Sequence, residues 1–225
     1  MDCYILWVEI KKKKGARLDP AEIKQFIIFI EGIIPSRRDM LYSNATFNLH
    51  KEFHCALASL KAGLELVFIM EEACLLREKP FSLQYVISYG DIEVPRRKSM
   101  FRGIVGTGLA HADVLMQRLR DSKTDRFYVS IRDLEESEFL RKLFGFYQSI
   151  CDAWRPGDYK LAAELLLFDY KFIAKSTDKA ISGIWRRHKS LNIRGYQTIK
   201  DLILKTPDLI IKKKQSWSNE QPPAF

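Results

Sequence analysis

The sequence predicts an α+β protein, a sheet covered by helices and followed by a small all-α module. Three observations carry that expectation. Residues 1–140 alternate between short β-patterned runs and longer stretches in which apolar residues recur every three to four positions. Beyond Glu135 only the helical spacing recurs. The charge changes at the same place: residues 1–140 hold 21 Lys and Arg against 20 Asp and Glu, whereas residues 141–225 hold 16 against 8, within a net charge of +9.

Tyr4–Ile10 (YILWVEI) is a nearly continuous apolar run closed by Lys11–Lys14 and Gly15, which reads as a buried strand and a basic loop. Asp19-Pro20 supplies an N-cap and a proline at the first helical position, opening a helix to about Ile34, before Pro35. Met40–Leu49 alternates and is rich in β-formers, so a strand is expected there. Phe53–Leu76 reads as one long helix, with Leu57, Leu60, Leu64, Val67 and Phe68 in helical spacing and Pro80 beyond its end. Leu83–Tyr89 is the next strand and Ile92–Phe101 a loop or hairpin. Gly108–Arg120 reads as a helix with Ala112, Leu115, Met116 and Leu119 on one side, and Phe127–Ile131 as a strand. The expected order is β-α-β-α-β-α-β. Helices are then expected at Glu136–Ala153, Tyr159–Asp169, Lys171–Ala174, Asp178–Lys189 and Tyr196–Leu204. Residues 1–140 and 141–214 are read as two modules, and Gln215–Phe225, with Pro222-Pro223, as a flexible tail.

A hydrophobic content of 47%, with 14 Phe, 9 Tyr and 4 Trp, excludes wholesale disorder. No apolar run reaches the roughly 18–20 residues of a membrane span, so no membrane partner is expected. Asp2 and Glu9 sit in an N-terminus without signal-peptide features, and the expected location is cytoplasmic. Cys3, Cys55, Cys74 and Cys151 lie far apart with no CxxC pair and read as buried thiols. His50 and His54 are four apart, but Glu52 does not complete an HExxH zinc signature. No cofactor is expected, except Mg²⁺ if a nucleotide binds.

Glu9 and Glu52, near strand ends, read as ordinary charged residues, and Asp91 as a loop carboxylate. One feature bears on nucleotide binding. Gly106 and Gly108 precede a helix, where backbone N–H groups can cradle a phosphate with Arg96, Arg97, Lys98 and Arg102 nearby. Tight packing is the other reading of those glycines. Their spacing matches neither a dinucleotide fingerprint nor a P-loop.

Ser88-Tyr89-Gly90-Asp91, then Gly108-Leu109-Ala110-His111-Ala112-Asp113 and Arg118-Leu119, form an ordered set, with His50-Lys51-Glu52-Phe53-His54-Cys55-Ala56 entering the second long helix. In this order the chain resembles the SatD family over about residues 3–205, and more distantly the palm-like domain of class III nucleotide cyclases. That resemblance implies a ferredoxin-like, cyclase-palm-like sheet and two metal-holding carboxylates. The first falls near Glu9. The second falls at Lys51, where the family has Asp, and a cation there would repel Mg²⁺. The resemblance therefore implies a degenerate, non-enzymatic site, with an Mg²⁺-dependent nucleotide enzyme using Glu9 and Glu52 as the alternative.

In the basic module, Phe172–Ala174, Lys175–Asp178 and Ala180–Lys189 read as helix, tight turn, helix. Ile181, Ile184 and Trp185 are expected to pack inward, leaving Lys179, Ser182, Arg186, Arg187 and Lys189 for double-stranded DNA, with Lys212–Lys214 adding charge. SatD-like chains often end in such a helix-turn-helix, and Trp154-Arg155-Pro156 and Gly195-Tyr196-Gln197-Thr198-Ile199 resemble their flanking motifs. The turn here is shorter than theirs and lacks its glycine. A scaffolding or dimerisation bundle is the competing reading, and a homodimer is expected. A purely structural interaction module is the third.

Overall fold

A computed structural model describes residues 1–12, 19–33, 39–43, 45–48, 52–77, 81–93, 105–122 and 124–220. The apolar run near the N-terminus is β1 (Asp2–Lys12). Cys3, Ile5 and Trp7 are buried on one of its faces and Leu6, Val8 and Ile10 on the other, which requires a central strand covered on both sides. β1 pairs antiparallel with β3 (Glu52–Leu57) and with β4 (Phe81–Asp91). β2 (Thr46–Asn48) pairs antiparallel with β3, and β5 (Phe127–Ser130) runs parallel to β4. The sheet order is β2-β3-β1-β4-β5.

With α1 (Pro20–Ile33) after β1 and α2 (Leu60–Leu76) after β3, the first four strands form the split βαβ unit of ferredoxin-like folds. α3 (Thr107–Asp121) is the crossover that makes β5 parallel to β4. All strands among the described residues end by Ser130. α4 (Leu134–Asp152), α5 (Tyr159–Leu167), α6 (Tyr170–Ser176), α7 (Ile181–Ser190) and α8 (Ile193–Glu220) complete the chain.

Three expectations need correction. The long helix expected over Phe53–Leu76 is two elements, because its first residues pair with β1 as β3. Ser59 is the real helix start, its hydroxyl accepting from the Ala62 N–H at 3.1 Å. The described order thus gains a strand. Among the described residues of the strand expected over Met40–Leu49, only Thr46–Asn48 form one, while Met40 and Leu41 reach β3 through Ala58 N–H to the Met40 carbonyl and an isolated bridge to Leu57. Finally, α8 does not stop at Leu204. It passes through Pro207 to Glu220, so Gln215–Glu220 are helical and 221–225 lie outside the described residues. Pro207 cannot donate a helical N–H; the hydroxyl of the adjacent Thr206 donates one turn back, to the Leu202 carbonyl at 2.8 Å.

One apolar core joins the sheet to the C-terminal helices. Leu64, Val67 and Phe68 of α2 lie in the same cluster as Phe144 and Tyr147 of α4, Leu165 of α5, Ile184 of α7 and Tyr196 of α8. The boundary expected at 140/141 falls inside α4. Trp154 and Tyr196, from the two motifs flanking the expected helix-turn-helix, stack at 5.5 Å between centroids, and the Trp154 indole donates to the Leu191 carbonyl. A buried polar network threads this core. The Arg126 guanidinium donates to both Glu71 oxygens at 3.0 Å, and the Tyr85 hydroxyl donates to the same carboxylate. Burial pushes the Tyr85 and Tyr147 hydroxyls well above the usual phenol range, so both stay neutral donors. No helix among the described residues is long and apolar enough to cross a membrane.

Candidate functional site

Two regions hold the residues singled out by the sequence. The first is the sheet face covered by α3. Alternation along β1 places Trp7 and Glu9 on this face, and antiparallel pairing sets Glu9 directly opposite Glu52 and Trp7 opposite His54. Two carboxylates facing each other across a strand pair repel, and a cation offsets the repulsion. Arg120, near the end of α3, donates from Nε to Glu9 Oε2 at 2.6 Å and from Nη2 to Glu52 Oε2 at 2.7 Å. The Trp7 indole also donates to Glu52, at 3.3 Å. A guanidinium therefore stands where a metal shared by Glu9 and Glu52 would have to sit. Among the described residues no cluster of three or more His, Cys, Asp or Glu is arranged to hold a metal ion. This donor set, with Arg120 in place, does not fit a divalent ion. Lys51 lies outside the described residues.

Asp91 does not join them. It sits at the far end of β4, seven residues beyond Gln84, the partner of Glu9, or roughly 23 Å along the strand. There it accepts from the amine of Met1 at 2.5 Å. Gly106 and Gly108 have a packing role. A Cβ on Gly108 would lie 2.7 Å from the Asp91 carbonyl oxygen and 2.7 Å from the Gly90 carbonyl carbon. One on Gly106, at φ +129°, would lie 2.8 Å from that same oxygen. Both glycines let the start of α3 lie against the end of β4. Arg96, Arg97, Lys98 and Arg102 lie outside the described residues.

His54 makes this face pH-sensitive. Burial lowers its imidazole pKa, with Glu52 pulling the other way, and its ring lies 5.0 Å from that of Trp7. A lowered folded-state value means that the unfolded chain binds the proton first as pH falls. Stability is therefore full above the ordinary histidine value near 6.5 and declines below it. Urea midpoints measured from pH 8 to pH 5 should fall in this window for the wild type and fall less for His54→Gln. Parallel profiles would remove His54 as the cause.

The second region is α6, α7 and the turn between them. Ile173, Ala174 and Ile184 are buried and anchor the pair. α6 ends on Asp178 at φ 51°, with the Lys179 N–H donating to the Ala174 carbonyl at 3.0 Å. This is a helix stop of the Schellman type in which aspartate occupies the left-handed position usual for glycine. Lys179, Ser182, Arg186 and Lys189 are exposed on and before α7. Arg187 is diverted, since its guanidinium pairs with Asp158 in the turn before α5.

No protein-family model, curated protein or solved structure matches the chain. The two regions therefore stand on their own geometry. Ile181 and Trp185, expected inside, are exposed, and Phe168 and Phe172 are exposed beside them in sequence. α7 touches the core chiefly along the line of Ile184 and Leu191, too narrow to cover Trp185. Arg120 was not among the expected site residues. Its only sequence signal is its place one residue beyond Leu119 on an amphipathic helix.

Proposed function

We propose that the chain is a non-enzymatic, SatD-like DNA-binding protein whose contact with the double helix is the exposed side of α7. The observation that carries this reading is the division of α7. Ile184 is held in the core while Lys179, Ser182, Arg186 and Lys189 face solvent behind a tight turn. Phosphates need flexible cations on one side of a fixed helix, and the strongly basic back of the chain supplies the surrounding field. The non-enzymatic part rests on Arg120, which already balances Glu9 and Glu52. The family resemblance points the same way, toward a sheet module that carries a C-terminal DNA-binding element.

The test is fluorescence anisotropy with a labelled duplex at several salt concentrations. Affinity should fall steeply with salt, and Arg186→Ala with Lys189→Ala should weaken binding about tenfold or more at low salt while flattening the salt slope. Arg187→Ala should leave that slope nearly unchanged, because its charge is engaged by Asp158. Absence of binding at low salt, or equal loss in Arg187→Ala, would overturn the assignment.

A further inference from the structure

Resting on that reading of α7, we infer that the preferred ligand is DNA with unpaired bases, an opened or frayed duplex rather than a perfect one. Phosphate contacts account for the lysines and arginines of the α6–α7 surface but not for its aromatics. Trp185 is 41% exposed in the middle of α7, between Ser182 and Lys189, and the Lys189 ammonium lies 3.9 Å from its ring centroid. Ile181, one turn earlier, is 54% exposed. Phe168 and Phe172, at the entry to and within α6, are 50% and 57% exposed, their ring centroids 5.2 Å apart. Lys171 and Lys175 on the same short helix are exposed as well. Both helices are anchored in the same core, α6 by Ile173 and α7 by Ile184, and Tyr170 lies 6.0 Å from His188 between ring centroids.

Large aromatic faces presented among cations match a nucleic acid whose bases have left the stack. Each unstacked base offers a π-face to an aromatic ring while its phosphate meets a neighbouring cation, and both gains are independent of sequence. A paired duplex hides those faces and offers only base edges and phosphates. Charge complementarity therefore selects a polyanion, and the rings select one with free base faces. An anionic lipid surface is the other partner class that mixes rings with cations. It requires an apolar face along most of an interfacial helix, whereas the exposed large apolar residues of α7 are Ile181 and Trp185, one turn apart on a ten-residue helix.

The experiment compares three labelled probes on the full chain at one salt concentration: a perfect duplex, the same duplex with a central mismatched bubble, and one of its single strands. The bubble should bind about tenfold more tightly than the duplex, the scale of one or two stacked bases. Trp185→Ala should bring the bubble down to the duplex level and leave duplex affinity in place. Phe172→Ser provides a second, independent loss, and circular dichroism checks that both exposed-site variants fold. Equal affinity for bubble and duplex, with duplex binding intact, overturns this inference and leaves the reading of α7 standing. No binding to any probe overturns both. Retention on anionic vesicles, lost in Trp185→Ala and without any preference among the DNAs, assigns the surface to lipid and overturns it too.

Discussion

Arg126→Leu is expected to cost about 3–5 kcal/mol of stability, the range for removing one member of a buried ion pair. The Arg126 and Glu71 side chains are nearly inaccessible, and the guanidinium donates to both carboxylate oxygens and to the Leu83 carbonyl at 3.4 Å. Burial opposes the charge on Arg126, yet Glu71 and its neighbours outweigh it and raise the guanidinium's pKa further. Without Arg126, the Glu71 carboxylate keeps the Tyr85 hydroxyl as a donor but loses its counter-charge inside an apolar core. The double variant Arg126→Leu with Glu71→Leu should recover much of the loss, since no unpaired charge is then buried. Urea denaturation of the two single variants and the double one gives the coupling energy directly. A loss below about 1 kcal/mol in Arg126→Leu would show that water reaches Glu71 and that the pair is not a closed one.

Gly108→Val comes next in size, with an expected loss of about 3 kcal/mol, the upper end for overpacking a close contact. The atoms a Cβ would meet are backbone atoms of Gly90 and Asp91, which cannot rotate aside as a side chain can. α3 would have to lift from β4, disturbing the packing of Ala112 and Met116 against Val86. Gly145→Ala is the matched control. That glycine lies inside α4 with nothing within 4 Å of its Cβ position, so alanine should be neutral or stabilising there. If thermal unfolding places the two variants together, the glycines before α3 are not packing devices, and their use as an anion cradle returns.

Much of the sheet was legible because β1, β4 and β5 are β-patterned runs bounded by breakers or charges. β3 was not. EFHCAL runs straight into the apolar start of α2 without proline or glycine, and only Ser59 marks the junction. That misreading left the pairing of Glu9 with Glu52 to the family resemblance alone, because the two become neighbours only when β3 lies beside β1. The third member, Arg120, is 111 residues from Glu9 along the chain, a distance that periodicity cannot bridge. On α7 the burial of Ile184 was legible. The exposure of Ile181 and Trp185 was not, because 3–4 spacing locates an apolar side but not the width of the surface available to cover it. Asp178 could not be read as a helix stop, since aspartate takes a left-handed backbone only where the surrounding fold requires it.

The lengths of the strands also limit how two copies of this chain can associate. Among the described residues β1 and β4 run 11 residues each and lie inside the sheet, while the edges are β2, with 3 residues, and β5, with 4. The outer side of β3 beyond β2 is met by the chain around Tyr42, whose N–H donates to the Ala56 carbonyl at 2.9 Å. Such short edges are poor templates for strand addition by another molecule. A symmetric pair built as one continuous ten-stranded sheet is therefore disfavoured, and self-association would have to be mediated by helix surfaces.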